Sequence, residues 1–299
     1  MSGSPGRALA RVPAPALFIG SGIVQHLGAA LAVTLFAVIP ATGVAWLRIL
    51  VAALVLLAWR RPWRLSWTRR DLGLVVLFGL ALAGMNVAFY VAIDNLPLGT
   101  AVAIEFIGPV AVAAATGSGW RERVGVGLAA VGVVLLAGVT LNLGGAEAAV
   151  GVLAILIAAA AWGGYILLGR RVALRGDGIA RLSAAMAVAA VVLAPLLAGR
   201  SVGVLGSWYL VGAVVAVALM SSVLPYAIEQ LVLRRVGPAA FAVLLSLLPA
   251  AATLVGALVL RQLPHLADLV GLVLVSAAIG LTAPGRRAAA PTESGPAGA

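Results

Sequence analysis

The chain has no cysteine and no lysine, and only two histidines and nine acids among its 299 residues. The missing cysteine excludes disulfides and thiolate metal sites. The two histidines stand far apart, at 26 and 265. No His-Glu-x-x-His pattern and no glycine-rich loop followed by lysine is present, so the sequence reads as no enzyme and calls for no cofactor. It carries no soluble ATPase domain either, so any solute movement must draw on an ion or substrate gradient. Charge of either sign is scarce: 10% of residues, against about a quarter in soluble domains. Apolar side chains make up 63%. A soluble core of this size cannot hide so many, so lipid must be part of the solvent.

The apolar residues fall into ten runs, at about 16–38, 42–60, 71–92, 97–117, 123–141, 147–168, 179–198, 208–231, 237–258 and 266–284, each long enough to cross a bilayer as a helix. They are continuous rather than alternating, which argues for helices over an outer-membrane barrel. The first run is too long for the apolar core of a signal peptide and is kept as a span. Residues 1–14 and 285–299 read as disordered tails. The net charge of +11 comes from twenty arginines clustered between the runs, which is a topology signal and not a nucleic-acid-binding stripe. With both termini cytoplasmic, 17 arginines lie inside and two, Arg200 and Arg261, outside, while Arg48 falls within the second span. Adding or removing one span would scramble that split.

The polar residues inside the runs are the candidate site. Glu105 sits near the middle of the fourth span, where a charge costs roughly 2.5–3.5 kcal/mol on the insertion scale, so it should face the bundle interior or a water-filled cavity. It is read as a proton carrier or a partner for a substrate ammonium; the alternative is a structural bond between helices. Arg48 does not release its proton. It can hold a substrate carboxylate bidentately, pair with Glu105, or reach outward to the interface. Gln25 and His26 lie mid-helix in the first span, as cavity groups or interior hydrogen-bonding residues. Asn86 and Tyr90, four apart, share a face of the third span, where they either line a cavity or pack between helices. Trp162 and Tyr165 offer an aromatic wall or simple packing. Ser221, Ser222 and Pro225 either open a local gap that exposes backbone carbonyls or merely kink the eighth span. Glu229, close to Arg234 and Arg235, reads as an interfacial salt bridge.

An internal repeat appears at an offset of 140 residues, placing LPLGTAVAIEFIGP (96–109) over VGPAAFAVLLSLLP (236–249). Each copy opens on Pro or Gly and closes on a proline, Pro109 or Pro249. Five helices per half, an odd number, make the copies (15–144 and 145–284) inverted in the membrane, an arrangement typical of secondary transporters with a midplane site. The segments WLRILVAALVLLAWRRPWRL (46–65), GMNVAFYVAIDNLPLGTAVAIEFIGPVAVA (84–113), AWGGYILLGRR (161–171) and SSVLPYAIEQLVLRRV (221–236) resemble the drug/metabolite transporter superfamily with two EamA repeats. Within it they are similar to the threonine/homoserine exporters. That resemblance implies proton-driven efflux of small amino acids across a bacterial inner membrane. The chain departs from the pattern at Leu248, where such relatives carry Glu before the proline, and at Arg261-Gln262, where they carry an acid. The expected fold is thus an all-α membrane protein of ten transmembrane helices in two inverted repeats. Small-molecule substrate, protons and the lipid bilayer are its expected partners, with a homodimer left open.

Overall fold

A computed structural model describes residues 12–116, 119–173, 177–225, 228, 244–245 and 247–282. Helices run through these residues, and no strand occurs among them. In lipid every backbone N–H and C=O must be satisfied within the protein, which leaves helices as the way for such apolar runs to cross. Helix α1 spans Ala14–Leu35, α2 Ala41–Arg60, α3 Arg69–Asn95, α4 Leu98–Glu105 and α5 Ile107–Thr116. Helix α6 spans Trp120–Ala173, α7 Gly178–Ser201, α8 Trp208–Ala218, α9 Leu248–Val259 and α10 Leu266–Thr282. Five helical stretches are long and apolar enough to cross a membrane: Pro15–Leu35, Ala41–Arg60, Arg69–Asn95, Gly145–Gly169 and Gly178–Gly206. Five shorter apolar helices accompany them among the described residues. The protein is an all-helical, multi-pass membrane protein.

Local chemistry sets where the helices start and stop. Pro13, Pro40 and Pro97 hold the positions just before α1, α2 and α4, with φ near −55°, the value their rings impose. Helix α3 opens on a capping box in which Thr68 accepts from the Asp71 N–H while the Asp71 carboxylate accepts from the Thr68 N–H, a device worth about 1 kcal/mol. Asp177 caps α7 by accepting from the Ala180 N–H at 3.1 Å. Helix α2 ends where Arg61 turns left-handed at φ 47°, and Pro62 follows.

Three features depart from simple spans. The fifth and sixth runs form one helical stretch, broken only at Gly145 (φ 61°, ψ −142°), a conformation that a Cβ would strain. The fourth run is two helices, α4 and α5, that meet at Phe106. The eighth run passes from α8 into a π turn at Leu219–Val223. The first helix also begins at Ala14, inside the expected tail. Arg7, Arg11, Glu229, Arg234, Arg235, the segment 236–243, Ser246 and the tail from 285 lie outside the described residues.

Lipid tails give helices no hydrophobic reason to associate, so small residues that permit close backbone approach take over. A Cβ on Gly108 of α5 would strike the Ala159 backbone of α6, and one on Gly79 of α3 would come within 2.6 Å of the Ala185 carbonyl of α7. Gly132 of α6 and Gly271 of α10 meet in the same way. Helix α2 lies along α7, where the Trp46 Nε1–H donates to the Ala190 carbonyl at 2.8 Å. Helix α1 packs on α9 and on the π turn, and α4 packs on α9. Exposed aromatic residues stand at helix ends: Trp59, Trp63 and Trp120 beside arginines, Trp208 and Tyr209 at the start of α8. That is the placement of aromatic belts at membrane surfaces.

Candidate functional site

Between α1, α2, α3, α4, α5, α6, α9 and the π turn lies a cavity of about 250 Å³ whose largely apolar walls carry Gln25, His26, Arg48, Glu105, Trp162 and Ser221. A second lobe of about 160 Å³ shares Gln25, Arg48, Glu105, Trp162 and Ser221, and adds Asn86, Tyr165 and Pro225. Most of the sequence-selected groups therefore converge on one chamber, whereas Ser222 is buried and lines neither lobe. Tyr90 is fully buried and reaches the chamber only through Arg48.

Arg48 is held from behind. Its Nη2 donates to the Asn86 Oδ1, its Nη1 to the Tyr90 hydroxyl at 3.4 Å, and its Cζ lies 5.0 Å from the Tyr90 ring centroid. Asn86 is fixed in turn by donating Nδ2 to the Leu82 carbonyl at 2.8 Å. The i, i+4 spacing on α3 aims both side chains at the same face of α2. Arg48 and Glu105 face the same space, yet no ion pair joins them among the described residues. The Arg48 Nε is buried without a partner.

Glu105 is the last residue of α4. Pro109, four residues on, has no N–H to give the Glu105 carbonyl and forces the chain to break there. The Phe106 N–H reaches back to the Val102 carbonyl at 3.3 Å, and the Val110 N–H to the Phe106 carbonyl at 3.2 Å. The proline thus places an interrupted helix at Glu105, the acid that lines the chamber among the described residues.

On the opposite wall the His26 Nδ1 donates to the Gly22 carbonyl at 2.7 Å. The Ser221 hydroxyl donates to the Gln25 carbonyl at 3.3 Å, tying the π turn to α1 where Gly28 leaves room for it. Trp162 meets Phe106 edge-on at 4.7 Å between ring centroids. Tyr165 stacks on Phe78 at 4.8 Å. Sequence reasoning did not select Phe89, Val102, Phe106, Leu245 and Leu248, which complete the walls. Only the one-turn spacing of Val102, Phe106 and Pro109 around Glu105 carried a signal for any of them. Among the described residues no group of three or more His, Cys, Asp or Glu side chains stands together to hold a metal.

A polytopic helical bundle that closes a polar chamber around interrupted helices is the build of a secondary transporter. The comparisons with known proteins agree. Residues 149–283 match the model of the EamA-like transporter family. The chain is 33% identical over 293 residues to the threonine/homoserine exporter RhtA of Salmonella typhimurium (strain LT2), covering 96% of this chain and 97% of that one. It is 33% identical over 288 residues to the threonine/homoserine exporter RhtA of Escherichia coli (strain K12), covering 94% and 95%. A protein of known crystal structure shares the fold with a TM-score of 0.57 and 18% identity, over 89% of this chain and 95% of that chain. The chain belongs to the EamA-like transporter family, in the drug/metabolite transporter superfamily.

Proposed function

We propose that this protein exports small amino acids of the threonine or homoserine kind across the bacterial inner membrane by proton antiport. The observation that carries the reading is one chamber holding a cation and an acid that do not pair with each other. Arg48 is presented by Asn86 and Tyr90 as a docking point for a carboxylate, and Glu105 faces it across the cavity. A zwitterion fits that arrangement, its carboxylate on the guanidinium and its ammonium on Glu105. A proton arriving at Glu105 removes the negative charge and releases the ammonium, so proton and substrate exchange on one group.

In this reading ten helices cross the membrane as two inverted halves, 15–144 and 145–284, with both termini cytoplasmic, and rock around the chamber in alternating access. Contacts that recur after a shift of 140 or 141 residues support the symmetry. Gly22 of α1 faces Leu248 near the start of α9, as Gly163 of α6 faces Gly108 near the start of α5. Gly132 and Gly271, close to equivalent in the two halves, face each other, as residues on the two-fold axis would.

A second reading is favoured by the apolar wall of Leu245, Leu248, Phe89, Phe106 and Trp162: a bulkier, more apolar metabolite or drug as substrate. A passive channel is a third. Cells exposed to toxic amino acids and analogues, with wild-type protein and Glu105→Gln at equal expression, test the first reading. Resistance to threonine-like compounds should come from the wild type and be lost in Glu105→Gln. Full resistance in the variant refutes the proton-carrying role. Resistance only to bulky apolar compounds selects the second reading. Proteoliposomes that leak substrate but never exchange it against a gradient select the third.

A further inference from the structure

His26 is 3% exposed and lines the chamber, yet neither the carboxylate docking point nor the ammonium partner needs it. Its Nδ1 lies 2.7 Å from the Gly22 carbonyl. A carbonyl only accepts, so the Nδ1 must carry the hydrogen. A neutral ring then leaves a lone pair on Nε2. No hydrogen bond to Nε2 is found among the described residues. Arg48 is turned toward Asn86 and Tyr90, and the Ser221 hydroxyl donates to the Gln25 carbonyl. The adjoining wall at Leu248, set against Gly22 one turn away on α1, supplies no donor.

We infer that His26 Nε2 is the acceptor that reads a hydroxyl on the substrate's side chain, making His26 a specificity-determining residue of the chamber. This rests on the amino-acid export reading. With the carboxylate on Arg48 and the ammonium on Glu105, a hydroxyl is the third polar group a small amino acid brings, and His26 Nε2 is an unused acceptor on the chamber wall. A methyl in its place leaves the Nε2 lone pair buried and unsatisfied. One net hydrogen bond corresponds to a preference of about 5- to 10-fold.

The test uses purified full-length protein in proteoliposomes and the isosteric pair threonine and valine, in which a hydroxyl replaces a methyl. Wild-type protein should move threonine about 5-fold or more faster than valine at subsaturating concentration. His26→Leu should bring that ratio close to one, threonine transport falling more than valine transport. His26→Gln, which keeps an acceptor, should retain part of the preference. An unchanged ratio in His26→Leu, or equal losses for both amino acids in both variants, overturns the assignment to His26 and leaves export standing. Wild-type protein that moves neither amino acid refutes the export reading and this inference with it.

Discussion

The two bonds that hold Arg48 are unequal, and the inequality predicts a graded response. Asn86 accepts a charge-assisted bond from Nη2 and is itself fixed by donating to the Leu82 carbonyl at 2.8 Å. The Tyr90 hydroxyl stands 3.4 Å from Nη1, at the weak end of hydrogen bonding. A hydrogen bond to a charged group is worth about 1.5–3 kcal/mol, which at 1.4 kcal/mol per decade is roughly a 10- to 100-fold change in equilibrium. Asn86→Ala should therefore raise the half-saturation concentration for threonine roughly 10- to 100-fold. Freed from Asn86, the guanidinium can turn toward Glu105 and block the chamber with an internal ion pair. Tyr90→Phe removes only the weak bond and keeps the ring that lies 5.0 Å from the Arg48 Cζ, so it should cost about 2- to 3-fold. Threonine counterflow in proteoliposomes, with protein amounts matched, measures both. An amine without a carboxylate, tested as competitor, should lose no affinity in either variant. Equal losses from the two variants, or an amine that weakens alongside threonine, would refute the claim that Arg48 is a carboxylate site presented by Asn86.

Two further predictions concern the scaffold. Gly108→Ala drives a methyl into the Ala159 backbone, whereas Gly163→Ala meets the Val112 side chain at 3.3 Å and the Gly108 carbonyl at an ordinary 3.7 Å. The first should cost about 1–3 kcal/mol and the second almost nothing, read as loss of detergent-stable monodisperse protein on heating. The second concerns Asp177, whose carboxyl burial alone would raise, but which hydrogen bonds from Arg60 and the Ala180 N–H hold below the usual carboxylate range. A depressed value means the group stabilises the fold above its unfolded pKa of about 3.9 and loses that contribution as pH falls through the folded value. The melting deficit of Asp177→Asn should therefore stay constant from about pH 5 to 8 and shrink only below about pH 4. A deficit that changes near neutrality would contradict it. The pair is about a third exposed, so the deficit should be small, under about 1 kcal/mol.

Much of this structure was legible because lipid is a demanding solvent. Apolar length marked the helices, and the cost of a mid-membrane charge pointed to Glu105 as a residue of an interior space, while Arg48 was left between a substrate site, a pair with Glu105 and the interface. The i, i+4 spacing of Asn86 and Tyr90 placed them on one face, but nothing local said that their common target is Arg48, about forty positions earlier. The same holds for Trp46 and the Ala190 carbonyl, which meet only because α2 lies along α7. Pro109 advertised a break in the fourth span. The break at Phe106 follows from the proline's effect one turn back, which a count of apolar residues does not see. The tightness of the joint at Gly145 was hidden for the opposite reason. One glycine in a left-handed conformation replaces the loop that separate runs suggested.

That single residue also limits how the two arms of α6 move. A joint one residue long spans about 3.8 Å of chain, so it holds no slack to lend. Its freedom is two torsion angles, and turning them swings one arm about the other without letting either slide along the bilayer normal. Any motion between these arms is therefore a change of tilt about Gly145 and not a travel of one along the other.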